Sequence, residues 1–306
     1  MAGLIHGCGM SDADATMEAP PPIIGGRSLW QDARRRLMRN KAAVASMIVL
    51  LLIAVASVVG PMLSPHPVDE IYWDLIGVGP DWQNGFYFGA DANGRDLFVR
   101  TLYGGRISLM VGVVATVVAL VIGVTYGAVA GYAGGRVDNL MMRTVDILYA
   151  IPFMFFVILL MVFFGRNIIL IFVAIGAVEW LDMARIVRGQ TLSLREKEFV
   201  EAAVASGVRG AAIVRRHVIP NTLGPVMVYM TLLVPKVILV ESFLSFLGLG
   251  VQEPMTSWGV LISEGARQME EAPWMLGFPA AFLGVTLLCL NFIGDGLRDA
   301  LDPRDR

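Results

Sequence analysis

The sequence comprises 306 residues, 56% apolar and 16% charged, with a net charge of -2. Water-soluble domains carry roughly 45–50% apolar and about 25% charged residues, so this composition excludes an ordinary soluble fold. The slightly negative net charge also excludes an electrostatic footprint for nucleic acid.

Residues 1–26 are acidic, Pro-rich at Pro20, Pro21 and Pro22, and lack the basic start and apolar centre of a signal peptide. They read as a disordered tail. Cys8 lies in this tail and Cys289 in an apolar run, so both read as free thiols. Ser28 is placed to cap a helix, with Gln31 as its capping-box partner. Leu29, Ala33 and Leu37 share one face of that helix, while Arg34, Arg35, Arg36, Arg39 and Lys41 make the rest cationic. Residues 27–41 therefore read either as a helix lying on the membrane surface or as a basic flank that merely fixes topology.

A helix needs about 20 apolar residues to cross the hydrocarbon core. Six candidate spans follow: 42–62, 108–131, 147–165, 168–184, 223–249 and 274–293. The fourth is weakened by Glu179 and Asp182, and the fifth holds Lys236 and Glu241. Long continuous runs without period-2 alternation favour helices over barrel strands, so the expected fold is an all-α integral membrane protein of six transmembrane helices. The long outer loop 63–105 carries Tyr72, Trp73, Trp82, Phe86, Tyr87 and Phe88, which predicts a small irregular cap.

Six spans place both termini on one side. With that side inside, the inner segments hold 18 of the 24 Lys and Arg, and the outer segments hold five. The positive-inside rule then puts both termini in the cytoplasm. Gly123, Gly127 and Gly131 recur every four residues in the second span and bare one helix face for close packing, within this chain or against a partner.

The inner loop 185–222 is the most informative segment. It reads Glu198-Phe199-Val200-Glu201-Ala202-Ala203-Val204-Ala205-Ser206-Gly207, then Arg209 through His217, then Pro220-Asn221. This predicts two short helices, the first Ala-rich and ended by Gly207 in a left-handed cap, the second ending before Pro220. Small side chains at Ala202, Ala203 and Ala205 permit close approach to a partner. Glu198 and Glu201 on one side, and Arg209, Arg215 and Arg216 on the other, offer charges to fix register.

Glu201-Ala202-Ala203, then Gly207 after three residues, then His217-Val218-Ile219-Pro220 after nine more, resembles the EAA motif of ABC-importer permeases. His217 and Ile219 depart from the general pattern in the manner of the peptide permeases. Phe88-Gly89-Ala90-Asp91 through Gly94-Arg95-Asp96 resembles the outer-loop signature of the peptide and nickel permease subfamily, as does Tyr103 through Leu109. Ser242 through Gly250, continuing to Ser257-Trp258-Gly259, is similar to that family's fifth span and outer turn. Asn291 through Pro303 is similar to its C-terminal signature, and Gly26 through Arg34 resembles the start of its oligopeptide-transporting members.

The resemblance implies a type I permease domain over 42–306 and a multi-pass location in a bacterial inner membrane. It implies import of oligopeptides, with dipeptides, antimicrobial peptides or nickel as alternative cargo. It also implies several partners: a second homologous permease, two ATP-binding subunits and an extracytoplasmic peptide-binding protein. ATP and Mg would be bound by the ATPase subunits, and no cofactor or catalytic residue would belong to this chain. The coupling residues would be Glu198, Glu201, Ala202, Ala203, Gly207, Arg209, His217 and Pro220. Lys236 would be a pathway cation that pairs with Glu241 or attracts a peptide carboxylate; a snorkelling side chain or a structural ion pair is the plainer alternative.

Three rival functions fare worse. None of the lysines, Lys41, Lys197 and Lys236, follows a glycine, so no phosphate-cradling loop is present. His6, His66 and His217 all lie outside the spans, and no nucleophile–base pair assembles within them. No internal repeat suggests a self-contained secondary transporter. Asp91-Ala92-Asn93-Gly94 has the wrong spacing for a calcium loop, because Gly is fourth and Leu102 stands at position twelve.

Overall fold

The computed structural model describes residues 29–301 except Arg166. The tail 1–26, Cys8, the Ser28 cap and the end of the C-terminal signature lie outside the described residues. Within them every regular element is a helix, joined by two isolated bridges, Asp81 to Phe86 and Ala90 to Asp96.

The first helix, α1, covers Leu29–Arg39, and α2 covers Lys41–Leu63. Asn40 separates them and caps α2: its side-chain oxygen accepts from the Ala42 and Ala43 amides at 3.1 and 3.2 Å. Most of α2 is apolar and outward-facing, with Ile48, Leu51, Leu52 and Val55 all exposed. Such a face suits lipid rather than water.

The outer cap folds around one carboxylate. Asp91 accepts from the Asn93 and Arg95 amides and pairs with the Arg95 and Arg100 guanidinium groups. Arg95 also reaches Glu253 at 2.9 Å, and Arg100 reaches Glu264 at 3.0 Å. Burial opposes the charge on Arg95, but Asp91 and Glu253 outweigh it and hold the guanidinium above its ordinary pKa. Asp96 then caps the next helix, accepting from the Phe98 amide at 2.8 Å. That helix, α3, runs Leu97–Ala133, so the outer loop ends near residue 96, before the expected 105. The motif around Tyr103 is its first turns rather than loop.

Gly134 turns the chain into α4, Gly135–Ala150, followed by α5, Phe153–Phe164. The expected span over 147–165 is not one continuous helix. The helix breaks at Ile151, which is extended at ψ 120° because it precedes Pro152, and α4 and α5 meet at 82°. Alone, α5 has 12 residues, about 18 Å, too short to cross. Next come α6, Ile168–Arg195; α7, Glu198–Ala205; α8, Gly210–Ile213; a π turn, Val214–Val218; and α9, Ile219–Phe246. The last two are α10, Trp258–Arg267, and α11, Pro273–Leu301.

Four helical stretches are each long and apolar enough to cross a membrane: Lys41–Leu63, Leu97–Ala133, Gly210–Phe246 and Pro273–Leu301. The bent pair α4–α5 makes a fifth if its two helices together form one span. The expected fourth span, 168–184, lies within the continuous helix α6. It carries Glu179, Asp182 and Arg185, too many charges to qualify on composition alone.

The most extensive helix pairing is α3 against α6. A Cβ added at Gly123 would sit 2.5 Å from the Met183 Cβ, and one at Gly131 would sit 2.8 Å from the Thr191 Cβ. At Gly127 it would strike the Ala184 carbonyl oxygen. The three glycines thus lie directly on the α6 backbone, the small-residue mode of membrane helix packing. Beside this seam, Val111, Ala115, Ala119, Ile171, Ala174, Ile175, Leu233 and Val237 build the outer core. We expect Gly127→Leu to destabilise the fold by about 3 kcal/mol or more, because α3 and α6 must separate. Gly284→Leu, on an open face of α11, should be neutral. Thermal unfolding of the two variants in detergent checks this.

Candidate functional site

The chain leaves α6 at Arg195 and reverses into α7 with Lys197 at its start. Glu198 and Glu201 occupy the first turn, where acidic side chains suit the positive end of the helix dipole. The helix ends in a Schellman motif. The Gly207 amide bonds the Val204 carbonyl at 2.9 Å, the Val208 amide bonds the Ala203 carbonyl at 3.1 Å, and Gly207 adopts φ +74°. Glycine is needed there, since other side chains strain at that φ.

This knob has two faces. Inward, Val200 is 1% exposed and meets Ile213, Val214 and Val218. These pack with Val124 and Ala128 of α3, Met183 and Val187 of α6, and Val226 of α9. Burying each such side chain contributes about 1.5–3 kcal/mol, so the knob is fixed to the inner ends of the span helices. Outward, Phe199, Val204 and Val208 are exposed, beside Glu198, Glu201, Ala202, Gly207 and Arg209. The half-buried His217 ring lies 6.4 Å from that of Phe199.

The expectation that the second coupling helix ends before Pro220 is corrected. From Gly210 the helix continues unbroken to Phe246. Proline lacks an amide hydrogen and its ring crowds the carbonyl four residues back. The π turn over Val214–Val218 widens the backbone just ahead of Pro220 and lets the helix pass. The second coupling helix is therefore the first turns of the α9 span, with α7 set apart from it by the turn 206–209.

A bidentate pair braces the same region. Arg188 of α6 donates from Nε and Nη2 to the two Asp138 oxygens, both at 2.6 Å. Arg185 bonds Asp146 at 2.9 Å and stacks 4.4 Å over the Tyr149 ring. Both link α6 to α4.

Mid-span, the pairing of Lys236 with Glu241 is also corrected. Lys236 bonds Glu179 at 2.8 Å and Asp182 at 3.5 Å, both on α6. Five residues separate Lys236 from Glu241, which puts them on different faces of α9. Glu241 is fully buried and accepts from Ser108 at 3.0 Å and Ser245 at 2.7 Å. Behind them, the Trp258 amide donates to Ser108, and the Ser257 hydroxyl donates to Ser245. Two short relays thus run from the start of α10 and end on one carboxylate.

Sequence reasoning missed Ser108, Ser245, Ser257, Asp138, Arg188 and the anchor Val200. Glu179 and Asp182 carried a usable signal: two acids three apart on one helix face, at the depth of the lone mid-span lysine. On α7, Val200→Ala should cost about 1–3 kcal/mol. Val204→Ala, on the outward face, should stay within about 0.5 kcal/mol of wild type. Denaturant or thermal unfolding of both variants distinguishes the faces.

Residues 123–306 match the family of binding-protein-dependent transport system inner membrane components. Residues 28–80 match the N-terminal transmembrane domain of oligopeptide transport permease C. The chain is 64% identical to the oligopeptide transport system permease protein OppC of Escherichia coli, over 92% of this chain and 94% of that one. It is 60% identical to OppC of Haemophilus influenzae, over 92% and 90% of the two chains. It is 48% identical to the dipeptide transport system permease protein DppC of Bacillus subtilis, over 91% and 87%. With matches of this extent across the knob, the glycine seam and α11, the chain belongs to the family of binding-protein-dependent transport system inner membrane components.

Proposed function

We propose that this chain is one of two membrane subunits of an ATP-driven oligopeptide importer. The observation that carries the reading is the two-faced knob: a short helix, α7, with an outward apolar and acidic surface and a buried face packed on the span helices. The 64% and 60% identity to the relatives named for oligopeptides in Escherichia coli and Haemophilus influenzae, above the 48% to the relative named for dipeptides in Bacillus subtilis, favours oligopeptide cargo.

In this reading both termini are cytoplasmic, as the distribution of 18 inner against five outer basic residues supports. A second homologous permease completes the pore, and a peptide-binding protein delivers cargo from outside. Two ATP-binding subunits dock beneath. They hold ATP and Mg, while this chain holds no nucleotide and supplies no catalytic residue. Glu198, Glu201, Ala202, Ala203, Gly207, Arg209, His217 and Pro220 form the coupling element.

The stroke follows from the packing. Movement of α7 drags α9, α3 and α6 through the packing of Val200 with Ile213, Val214 and Val218. The spans then exchange inward-open and outward-open arrangements, a two-state element biased by nucleotide. The Lys236, Glu179 and Asp182 triad lies mid-span with Lys236 half-exposed. Charges facing lipid are costly, so this face borders the pathway or the partner permease. Glu241, enclosed by serines, is a structural group in this reading.

Gly207→Val tests the coupling role. The variant should still insert, but peptide uptake in reconstituted vesicles should fall roughly tenfold or more while basal ATP hydrolysis persists. Unchanged uptake would contradict the assignment. Lys236→Met strands two carboxylates and should reduce the amount of folded chain in the membrane, by about 3–5 kcal/mol of stability. Quantitative membrane blotting checks this, and wild-type levels would contradict the pairing.

A further inference from the structure

We propose that α4 is not half of a span but an interfacial helix, which lies in the plane of the bilayer at its cytoplasmic surface and takes lipid as its partner. The observation behind this is the division of the α4 surface into three sectors. The inference rests on the membrane topology proposed above and is independent of the cargo.

The first sector faces the protein. Asp138 and Val145 are buried, and Asp138 is held by Arg188 of α6. The Tyr126 hydroxyl of α3 donates to the Met141 carbonyl at 2.9 Å. The second sector is apolar and uncovered. Val137, Leu140, Ile147 and Leu148 share it, with Leu140 71% and Ile147 65% exposed. The third sector is polar and also exposed, and carries Arg136, Asn139, Arg143 and Asp146. At 3.6 residues per turn the apolar and polar sectors flank the buried one on opposite sides. A helix beside a bundle at the membrane surface needs this set of three: one side for protein, one for acyl chains and one for water.

Depth decides between lying and crossing. Were α4 to run along the bilayer normal, Asp146 would stand about 15 Å deeper than Arg136, near the middle of the hydrocarbon. The Asp146 side chain is 63% exposed and that of its partner Arg185 39%, so the pair would stand open where charge is most costly. Laid in the plane, the same helix puts Val137, Leu140 and Ile147 into the acyl boundary and lets Arg136 and Arg143 reach headgroup phosphates. The 82° bend agrees, since α5 then rises into the membrane while α4 stays at its surface. Through Arg185 and Arg188, an in-plane α4 ties the inner end of α6, just ahead of the knob, to the level of the membrane.

The test uses the assembled importer, in a background lacking the native cysteines, reconstituted in vesicles of phosphatidylethanolamine and phosphatidylglycerol. Val137→Cys and Ile147→Cys are spin-labelled one at a time. Depth is read from collision with oxygen, which concentrates in lipid, against collision with a water-soluble nickel chelate. Both labels should meet oxygen at one shared shallow depth, about 5–10 Å into the boundary of headgroups and acyl chains. A label at Arg143→Cys should meet the nickel chelate instead. A crossing α4 would set the labels at 137 and 147 about 15 Å apart in depth and would overturn the proposal. Labels at both positions reached chiefly by the nickel chelate would put the apolar sector on a water-filled pathway. Labels shielded from both reagents would put it against the partner permease. Either result overturns the lipid surface. Should one variant fail to assemble, Leu140→Cys takes its place with the same expected depth. Peptide uptake by the same vesicles is read in parallel: uptake absent with the depths as expected would count against the importer reading and leave this one standing.

Discussion

The contact of α3 with α6 across Gly123, Gly127 and Gly131 is the constraint on which the remaining structure depends. Lipid tails are as apolar as leucine, so burial alone cannot hold helices together inside a membrane. Close backbone approach supplies dispersion contact instead, and a single methyl group at these positions would open the seam. The same two helices receive the knob through Val200 and Ile213, and α6 carries the arginines that brace α4. A rigid pair of helices thus stands between the knob and the core built on Val111, Ile171 and Leu233.

Charge within the spans is handled by two different solutions. Lys236 lies against Glu179 and Asp182, an ion cluster that spares each member an unpaired charge at membrane depth. Among the described residues Glu241 has no cation paired with it. Its oxygens terminate hydroxyl and amide relays from the start of α10, so α9, α3 and α10 are drawn to one point. On the outer surface Asp91 does similar work with two arginines, joining the cap to α3 and to the segment around Glu253 and Glu264.

Much of this was legible in the sequence because the bilayer narrows the options. Uncharged runs of 20 residues gave α2, α3 and α11, and the four-residue glycine period marked the face of α3 that α6 covers. Gly207 and the alanines announced α7 and its cap. Local rules failed where geometry is set by tertiary contact. Pro152 did break a helix, while Pro220, equally unfavourable in isolation, is absorbed by a π turn. The partner of Lys236 could not be read along α9, since it sits on α6, 57 residues away. The serine relays left no periodic trace at all.

The central claim is that the outward face of α7 is the surface on which the ATP-driven motor acts. Site-directed cross-linking tests it most directly. In a background lacking the native cysteines, Val204→Cys in the assembled importer is treated with a short thiol cross-linker, with Val200→Cys as the inward-facing comparison. The account predicts an adduct between position 204 and an ATP-binding subunit, and none from position 200. Adducts absent from 204, or formed equally from both positions, would contradict it.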